Sequence, residues 1–152
     1  MNEIRSFKPG EIIVRQGEPG DCMFCVEGGN VGVFYDYGSE NEKKLAELTP
    51  GEFFGEMSLL DHAPRSATVV ALQPHTYVEV ITEANFKEFF EKSPHIIFNL
   101  TTQMCNRLRN TTRKYVDACH TAIEAADTTR EKKSEGLMAR IRRLRDEYLR
   151  SK

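Results

Sequence analysis

The first 82 residues alternate short apolar runs with turn residues. Six runs of three to six residues are separated by segments that contain Gly, Pro, Asn or Asp, and they cover 12–14, 22–27, 31–35, 43–48, 67–72 and 76–81. Runs of this length, rich in β-branched and aromatic residues, predict β-strands. Gly28-Gly29-Asn30 lies between the second and third runs and predicts a hairpin turn. Many short strands separated by glycine turns indicate an antiparallel barrel or roll.

The hydrophobic period changes after Thr82. Phe86, Phe89 and Phe90 repeat at helical spacing, and Ser93-Pro94 predicts the end of that helix and the start of another. The stretch 95–126 contains neither Gly nor Pro, which permits one helix of about 30 residues. A 3.5-residue seam runs along it through positions 97, 101, 104, 108, 111, 115, 118 and 122. We expect this seam to pair two copies of the chain; the alternative is a helix packed along its own roll.

A second seam follows in the last 26 residues. Leu137, Ile141, Leu144 and Tyr148 repeat at heptad spacing on a segment rich in arginine. Thr128 and Glu131 have the spacing of a capping box, so 127–136 is either a turn or part of one continuous helix. The basic residues form either a solvated face or a contact for an acidic effector or nucleic acid, and they are Arg140, Arg142, Arg143, Arg145 and Arg150.

These patterns predict a mixed α+β fold. An antiparallel barrel or roll would occupy 1–93. A long dimerisation helix would follow over 94–126, and a C-terminal arginine-rich helical extension over 127–152.

Composition and charge narrow the class of protein. The formal net charge is −2, and residues 137–152 carry six basic residues against two acids, which leaves −6 for the first 136 residues. The chain as a whole is therefore unlike a nucleic-acid-binding protein. No apolar run approaches the ~18 residues of a membrane span, and residues 1–6 lack the apolar region of a secretory signal. We expect a cytoplasmic protein with reduced thiols, in which Cys22 and Cys25 are buried strand cysteines rather than metal or redox ligands.

The stretch from Gly51 to Thr68 contains the residues best suited to binding a small ligand. Gly55 lets the backbone approach a ligand because it has no Cβ. The apolar run after it predicts a short helix whose first N–H groups favour a negative charge. Arg65 offers a planar fork for two phosphate oxygens, whereas Glu56 suits a donor such as a sugar hydroxyl. The stretch indicates a pocket for an anion that carries hydroxyls; the alternative is an ordinary turn and loop.

Residues for catalysis are not apparent. No nucleophile stands beside a base in this stretch, and the four histidines form no HxxxH or other catalytic set. The glycines are followed neither by the Lys-Ser/Thr of a Walker loop nor by the long crossover helix of a dinucleotide fingerprint. We therefore expect a binding protein rather than an enzyme, with no metal and no cofactor.

The motifs of 7–114, taken in order, resemble the cyclic nucleotide-binding domain shared by protein kinase A regulatory subunits, nucleotide-gated channels and the catabolite activator protein. The glycine framework of its β-roll is similar to Pro9-Gly10-Glu11, Gln16-Gly17, Gly20-Asp21 and Glu27-Gly28. Its phosphate-binding cassette is similar to Phe54-Gly55-Glu56-Met57-Ser58-Leu59-Leu60 followed by Pro64-Arg65-Ser66-Ala67-Thr68.

The resemblance implies that 1–93 form an antiparallel β-roll, of the jelly-roll-like double-stranded β-helix kind, that binds a cyclic nucleotide. It also implies a role for each residue of the cassette. Arg65 would pair with the cyclic phosphate, helped by backbone N–H groups near Gly55, Met57 and Ser58. Glu56 would accept a hydrogen bond from the ribose 2′-hydroxyl. Ser66 would add its hydroxyl at the phosphate, and Ala67 its N–H. A Thr at position 66 is associated in the family with cGMP, so Ser66 favours cAMP while leaving cGMP open.

A narrower match concerns the long helix. The sequence Leu100-x-x-Gln103-Met104-x-x-Arg107-Leu108-x-x-Thr111-Thr112 resembles the dimer helix of the catabolite activator protein branch. The resemblance implies that Thr111 and Thr112 read the adenine, one of them from the partner copy; the alternative is two exposed helix threonines.

The sequence departs from the family in three ways, and as a result it does not indicate what the ligand-binding domain would control. The helix that leads into the roll is short or missing, no helix-turn-helix pattern follows 127, and no kinase-inhibitor, channel or cyclase segment is recognisable. We expect a homodimeric cyclic nucleotide sensor that signals through its helices. The alternatives are a nucleotide-insensitive dimeric scaffold, or a regulator that contacts DNA through the C-terminal basic helix.

Overall fold

A computed structural model describes residues 3–92 and 94–150. Within these residues, eight strands form two antiparallel sheets of four strands each, with the orders β1-β8-β3-β6 and β2-β7-β4-β5. The strands are β1 (Glu3–Phe7), β2 (Ile12–Val14), β3 (Cys22–Gly28), β4 (Val31–Tyr35), β5 (Lys43–Leu48), β6 (Phe53–Phe54), β7 (Thr68–Ala71) and β8 (Thr76–Thr82). The predicted β-roll is confirmed.

The turn at Gly28-Gly29-Asn30 does not form the hairpin that the sequence predicts. Strand β3 pairs with β6 and β8, whereas β4 pairs with β5 and β7, so the turn carries the chain from one sheet to the other. Gly29 has a φ of 67°, and a Cβ there would lie 2.6 Å from the Oγ1 of the buried Thr76. The turn is thus packed against the start of β8, and the chain leaves the sheet instead of folding back beside β3.

Strand β3 divides the core because its successive side chains point to opposite faces. Phe24 and Val26 contribute to an apolar cluster between the two sheets, with Val31, Leu48, Phe54, Val69, Val78 and Val80. Met23 and Cys25 contribute to a second cluster, beneath the helices, with Phe53, Leu59, Ile81, Phe89, Phe90 and Leu100. Burying one such side chain stabilises the fold by about 1.5–3 kcal/mol.

Three helices complete the described residues: α1 (Glu56–Asp61), α2 (Glu83–Lys92) and α3 (His95–Arg150). Ser93, where a helix end is predicted, lies outside the described residues. The chain divides into two compact units. The first ends at Met104, and the second begins at Cys105. No helix among the described residues combines the length and apolar character that crossing a bilayer requires.

The structure decides between the two alternatives for 127–136. Helix α3 is continuous through this stretch, so the segments predicted at 94–126 and 127–152 belong to one helix as far as Arg150. The capping box is wrong, because the Thr128 hydroxyl donates to the Glu124 carbonyl, at 2.8 Å, inside the helix; the Glu131 side chain is outside the described set. Gly136 costs a helix interior only about 1 kcal/mol, and the helix accommodates it.

Candidate functional site

Gly55 joins strand β6 to helix α1 in a conformation that suits only glycine well. Its φ is 78° and its ψ is 3°, in the left-handed region that costs other residues about 1–2 kcal/mol. No side chain caps the start of α1, so its first N–H groups have no side-chain acceptor there. Glu56 and Ser58 are buried, whereas Met57 is half exposed. The turn therefore presents backbone N–H groups beside a buried carboxylate.

The backbone of Arg65 is fixed by the turn between β2 and β3. Its N–H donates to the Glu18 carbonyl at 2.8 Å, and its carbonyl accepts from the Gly17 N–H at 2.8 Å. This pair of bonds sets where the Arg65 side chain leaves the backbone.

The Arg65 guanidinium is buried, with only 6% of the residue exposed. Its Nη1 donates to the Gly55 carbonyl at 3.0 Å, and its Nη2 donates to the Cys22 Sγ at 3.5 Å. Its Cζ lies 5.7 Å from the centroid of the Phe24 ring, a cation–π contact, and Phe24 stacks on Phe54 at 4.9 Å. The fork is therefore held in one place by a carbonyl, a thiol and an aromatic ring.

Two glycines leave the space that this guanidinium occupies. A Cβ on Gly20 would lie 2.3 Å from the Arg65 Cζ, and a Cβ on Gly55 would lie 2.5 Å from its Nη1. Gly20 does not have a positive φ, so the close approach of Arg65, rather than its own backbone, explains why a glycine fits there.

The buried Arg65 cation has no acidic side chain as its partner within the part of the chain that the structure describes. Among the described residues, no ion pair joins Arg65 to a carboxylate. A guanidinium has five N–H donors, of which Nη1 and Nη2 each use one here. A buried charge is costly unless it is paired, and a planar fork matches two oxygens of a phosphate. The site is therefore suited chemically to a small anion.

Three residues at this site were not predicted to belong to it: Gly20, Cys22 and Phe24. Burial raises the pKa of the Cys22 thiol, although the neighbouring Arg65 lowers it, so the sulfur beside the guanidinium is a neutral thiol. Burial likewise raises the pKa of Cys25 to about 12. Alternation along β3 places Cys22 and Phe24 on the face opposite Cys25, which is the signal that could have identified them. Among the described residues, no group of metal-ligating side chains includes either cysteine.

The other predicted residues lie on both sides of the fork. Ser66 is exposed, with its Oγ 3.9 Å from the Met57 Sδ, and Ala67 is buried just before β7. The Arg65–Gly55 and Ser66–Met57 contacts join the two segments that hold the eight predicted cassette residues, 54–58 and 65–67. Thr111 and Thr112 belong to the second compact unit, where both are exposed on α3. Their role in reading the base stays a prediction.

Gln103 connects α3 to strand β6, which ends one residue before Gly55. Its Oε1 accepts from the Phe53 N–H at 3.0 Å, and its Nε2 donates to the Gly51 carbonyl at 3.1 Å. One side-chain amide therefore holds both sides of the turn that leads into the cassette.

Replacing Gln103 by Leu is expected to lower the free energy of unfolding by about 1 kcal/mol, because two backbone groups lose their partner. Chemical denaturation measures this change, and Gln103→Glu is the informative companion. A carboxylate accepts from the Phe53 N–H but cannot donate to the Gly51 carbonyl, so we expect an intermediate loss. Equal stability of all three proteins would show that these contacts do not stabilise the fold.

Known proteins are similar to this chain in sequence. A family model described as the cyclic nucleotide-binding domain matches residues 4–93. The cyclic AMP receptor protein of Thermus thermophilus is 35% identical over 105 residues, which are 69% of this chain and 48% of that protein. A cyclic nucleotide-gated potassium channel of Mesorhizobium japonicum is 43% identical over 94 residues, 60% of this chain and 24% of the channel. The chain thus spans about half the length of the first of these relatives and a quarter of the second.

Solved structures are similar to the chain in fold as well as in sequence. The crystal structure of the Thermus thermophilus catabolite activator protein is similar with a TM-score of 0.63 and 33% identity, over 74% of this chain and 53% of that one. The cAMP-bound form of an EAL enzyme is similar with a TM-score of 0.53 and 30% identity, over 72% of this chain and 29% of that one. Together with the β-roll and the cassette, these matches show that the chain belongs to the cyclic nucleotide-binding domain family.

Proposed function

We propose that the protein is a non-catalytic sensor that binds cAMP in the cassette and signals as a homodimer. The observation that carries the proposal is the buried Arg65 guanidinium, held between Gly20 and Gly55 without an acidic partner among the described residues. A cyclic phosphate supplies the missing negative charge and two oxygens for the fork.

Each neighbour of Arg65 then has a role that its position supports. The N–H groups at Gly55, Met57 and Ser58 stand at the start of α1, where they face a phosphate favourably. Glu56 is buried beside them and accepts from the ribose 2′-hydroxyl. Ser66 and the N–H of Ala67 complete the phosphate contacts. These groups bind and orient a ligand, and no nucleophile paired with a base enters the scheme.

The choice of cAMP rests on position 66. The names of similar proteins do not decide it, since they include cAMP-dependent kinase regulatory subunits as well as cGMP-dependent kinases. Ser66 has a hydroxyl but lacks the methyl group of Thr, the residue that in this family accompanies cGMP. We therefore expect cAMP to bind more tightly, and titration of the chain with both nucleotides tests this preference directly.

Ligand binding reaches α3 through Gln103. Ordering of Gly55 by the phosphate also orders β6, whose Phe53 N–H is bonded to the Gln103 side chain. The start of α3 therefore responds to the cassette, and the rest of the helix passes the change to a partner copy. A ligand shifts such an equilibrium only by its difference in affinity for the two arrangements.

The homodimer is expected to form along 94–126. The exposed seam of α3 includes Leu108 and Tyr115, both 70% exposed, and a long helix with such a seam is stabilised by pairing. Replacing Leu108 by Asp is expected to convert the dimer into a monomer, because it places a charge in the apolar seam. Sedimentation equilibrium measures the mass. Asn110→Asp adds the same charge two residues away, outside the seam, and should leave a dimer; identical masses for both variants would contradict this interface.

A further inference from the structure

We propose that the last part of α3 binds an acidic amphipathic helix of another protein. The surface concerned, called here the arginine-bordered seam, consists of Leu137, Ile141 and Leu144 with Arg140 and Arg145 along its two edges. This inference rests in one respect on the proposed dimer, which determines which face of α3 the second copy covers.

The apolar part of this surface is a stripe of three residues, beside which Met138 is also exposed. Leu137, Ile141 and Leu144 are 60%, 51% and 59% exposed, and their spacing of four and three residues places them in one line along the helix. Such a line is the signature of a helix that packs against one other helix. A helix that lies in a membrane surface instead has a broad apolar face, whereas Arg140 and Arg145 border this one on both sides even with Met138 included.

The edges of the stripe indicate the charge of the occupant. In heptad positions, Leu137 and Leu144 are d, Ile141 is a, Arg140 is g and Arg145 is e. In a parallel pair of identical chains, each Arg140 at g would face Arg145 of the other copy at e, so like charges would meet. A partner helix with Glu or Asp at its e and g positions would pair with both arginines.

The wider charge of the segment agrees with an acidic partner. Residues 137–150 contain five arginines against Asp146 and Glu147, a formal charge of +3. Arg145 does contact Asp146 through its Nε and Nη2, at 3.0 and 2.8 Å, but both side chains are largely exposed. An exposed pair between neighbours in sequence contributes little, so Arg145 can exchange this contact for a partner's carboxylate.

The phase of the two seams separates this surface from the dimer interface. The dimer seam runs through 108, 111, 115, 118 and 122, and its heptad continues from 122 to 129 and 136 at the same position. Leu137 falls one residue later, so Leu137 and Leu144 are at b and Ile141 is at f in the dimer heptad. Positions b and f point away from the partner in a coiled coil. A dimer along the first seam therefore leaves the arginine-bordered seam uncovered.

The test uses the full chain and a defined probe. The probe is a labelled synthetic peptide of about four heptads with Leu at a and d and Glu at e and g, and fluorescence anisotropy at physiological salt measures its binding. The double change Arg140→Glu and Arg145→Glu is expected to weaken binding at least ~10-fold, because it reverses both edges. The matched control, Arg142→Glu with Arg143→Glu, makes the same change in net charge at b and c of this seam, and should alter affinity by less than ~3-fold. Because these residues are at g and a of the dimer heptad, sedimentation first checks that the control keeps the mass of the unchanged chain.

A second arm asks whether recognition can be reversed. The same peptide with Lys at e and g should bind the Arg140→Glu and Arg145→Glu chain more tightly than it binds the unchanged chain. Circular dichroism checks that each variant keeps its helix. The Lys peptide should also bind this chain more tightly than it binds the Arg142→Glu and Arg143→Glu chain, which has the same net charge. Equal binding to the two variants would indicate a general attraction between opposite charges and would contradict contact between the edges.

Four results would overturn the proposal. They are no binding of the acidic peptide, equal losses in both double variants, tighter binding to phosphatidylserine vesicles or to duplex DNA than to the peptide, and a smaller oligomer on sedimentation of Leu144→Asp, which would assign the seam to a second copy. Nucleotide binding is measured separately. A chain that binds the peptide but neither cAMP nor cGMP contradicts the sensor proposal alone, whereas the opposite result contradicts this one alone.

Discussion

Replacing Arg65 by Ala is expected to weaken cAMP binding by at least about 2 kcal/mol, roughly 30-fold. The guanidinium is buried and oriented by the Gly55 carbonyl, the Cys22 thiol and the Phe24 ring before any ligand arrives. Little ordering remains to oppose its two charge-assisted bonds to a phosphate. Calorimetric titration of the variant measures the loss.

Two companion variants make this result specific. Arg15→Ala removes an exposed arginine from the same roll and should bind cAMP as the unchanged chain does. Arg65→Lys keeps the charge but loses the planar fork, so its affinity should fall between those of the unchanged chain and Arg65→Ala. Unchanged affinity of Arg65→Ala would place the binding site elsewhere on the molecule.

Replacing Gly55 by Ala is the second change with a large expected effect. The new Cβ would lie 2.5 Å from the Arg65 Nη1, so the fork must move away from the phosphate position. We expect affinity for cAMP to fall at least ~10-fold through the loss of one charge-assisted contact.

Gly51→Ala is a close control for this change. Gly51 has a φ of 87°, against 78° for Gly55, but a Cβ on Gly51 would meet nothing within 4 Å. Both variants should lose about 1 kcal/mol of unfolding free energy from the left-handed backbone, because that cost is common to them. Only Gly55→Ala should lose affinity. Equal affinities of the two variants would show that the space beside Gly55 is not needed for binding.

The β-roll could be predicted because its strands are short apolar runs between turn residues, a signal that a single sequence carries. The observed bounds of β2, β4 and β5 agree with the predicted runs. The pairing of the strands could not be predicted in the same way. Gly28-Gly29-Asn30 has the composition of a hairpin turn, but the packing of Gly29 against Thr76, some 47 residues away, directs the chain into the other sheet.

The candidate site, like the strand pairing, could be predicted only in part from the sequence. The sequence was sufficient to select Arg65, Gly55 and Glu56. Their side chains suit a phosphate, a close backbone approach and a sugar hydroxyl, and their order along the chain resembles the family's cassette. Cys22 and Phe24 read as ordinary core residues, since only the fold brings their side chains to the guanidinium. The contact of Gln103 with the backbone of β6 likewise joins positions about 50 residues apart. Long-range contacts of this kind leave no local pattern in the sequence.

In the long helix, some residues of the sequence favour a turn at 127–136 and others favour a continuous helix. A Thr-x-x-Glu spacing and Gly136 both favour an interruption, whereas helix-forming residues surround them. The helix accommodates the threonine, because the Thr128 hydroxyl bonds the Glu124 carbonyl one turn back instead of capping a new helix. The one-residue offset between the two seams can be read from the sequence. It shows that the seams lie on different faces only because the helix that carries them is continuous.

The most direct test of the central claim is calorimetric titration of the full chain with cAMP and, separately, with cGMP. The proposal predicts saturable binding of cAMP, weaker binding of cGMP, and a thermal unfolding midpoint that rises with cAMP concentration. No heat and no shift of the midpoint at millimolar concentrations of either nucleotide would contradict it, and would favour a scaffold that keeps the cassette without using it.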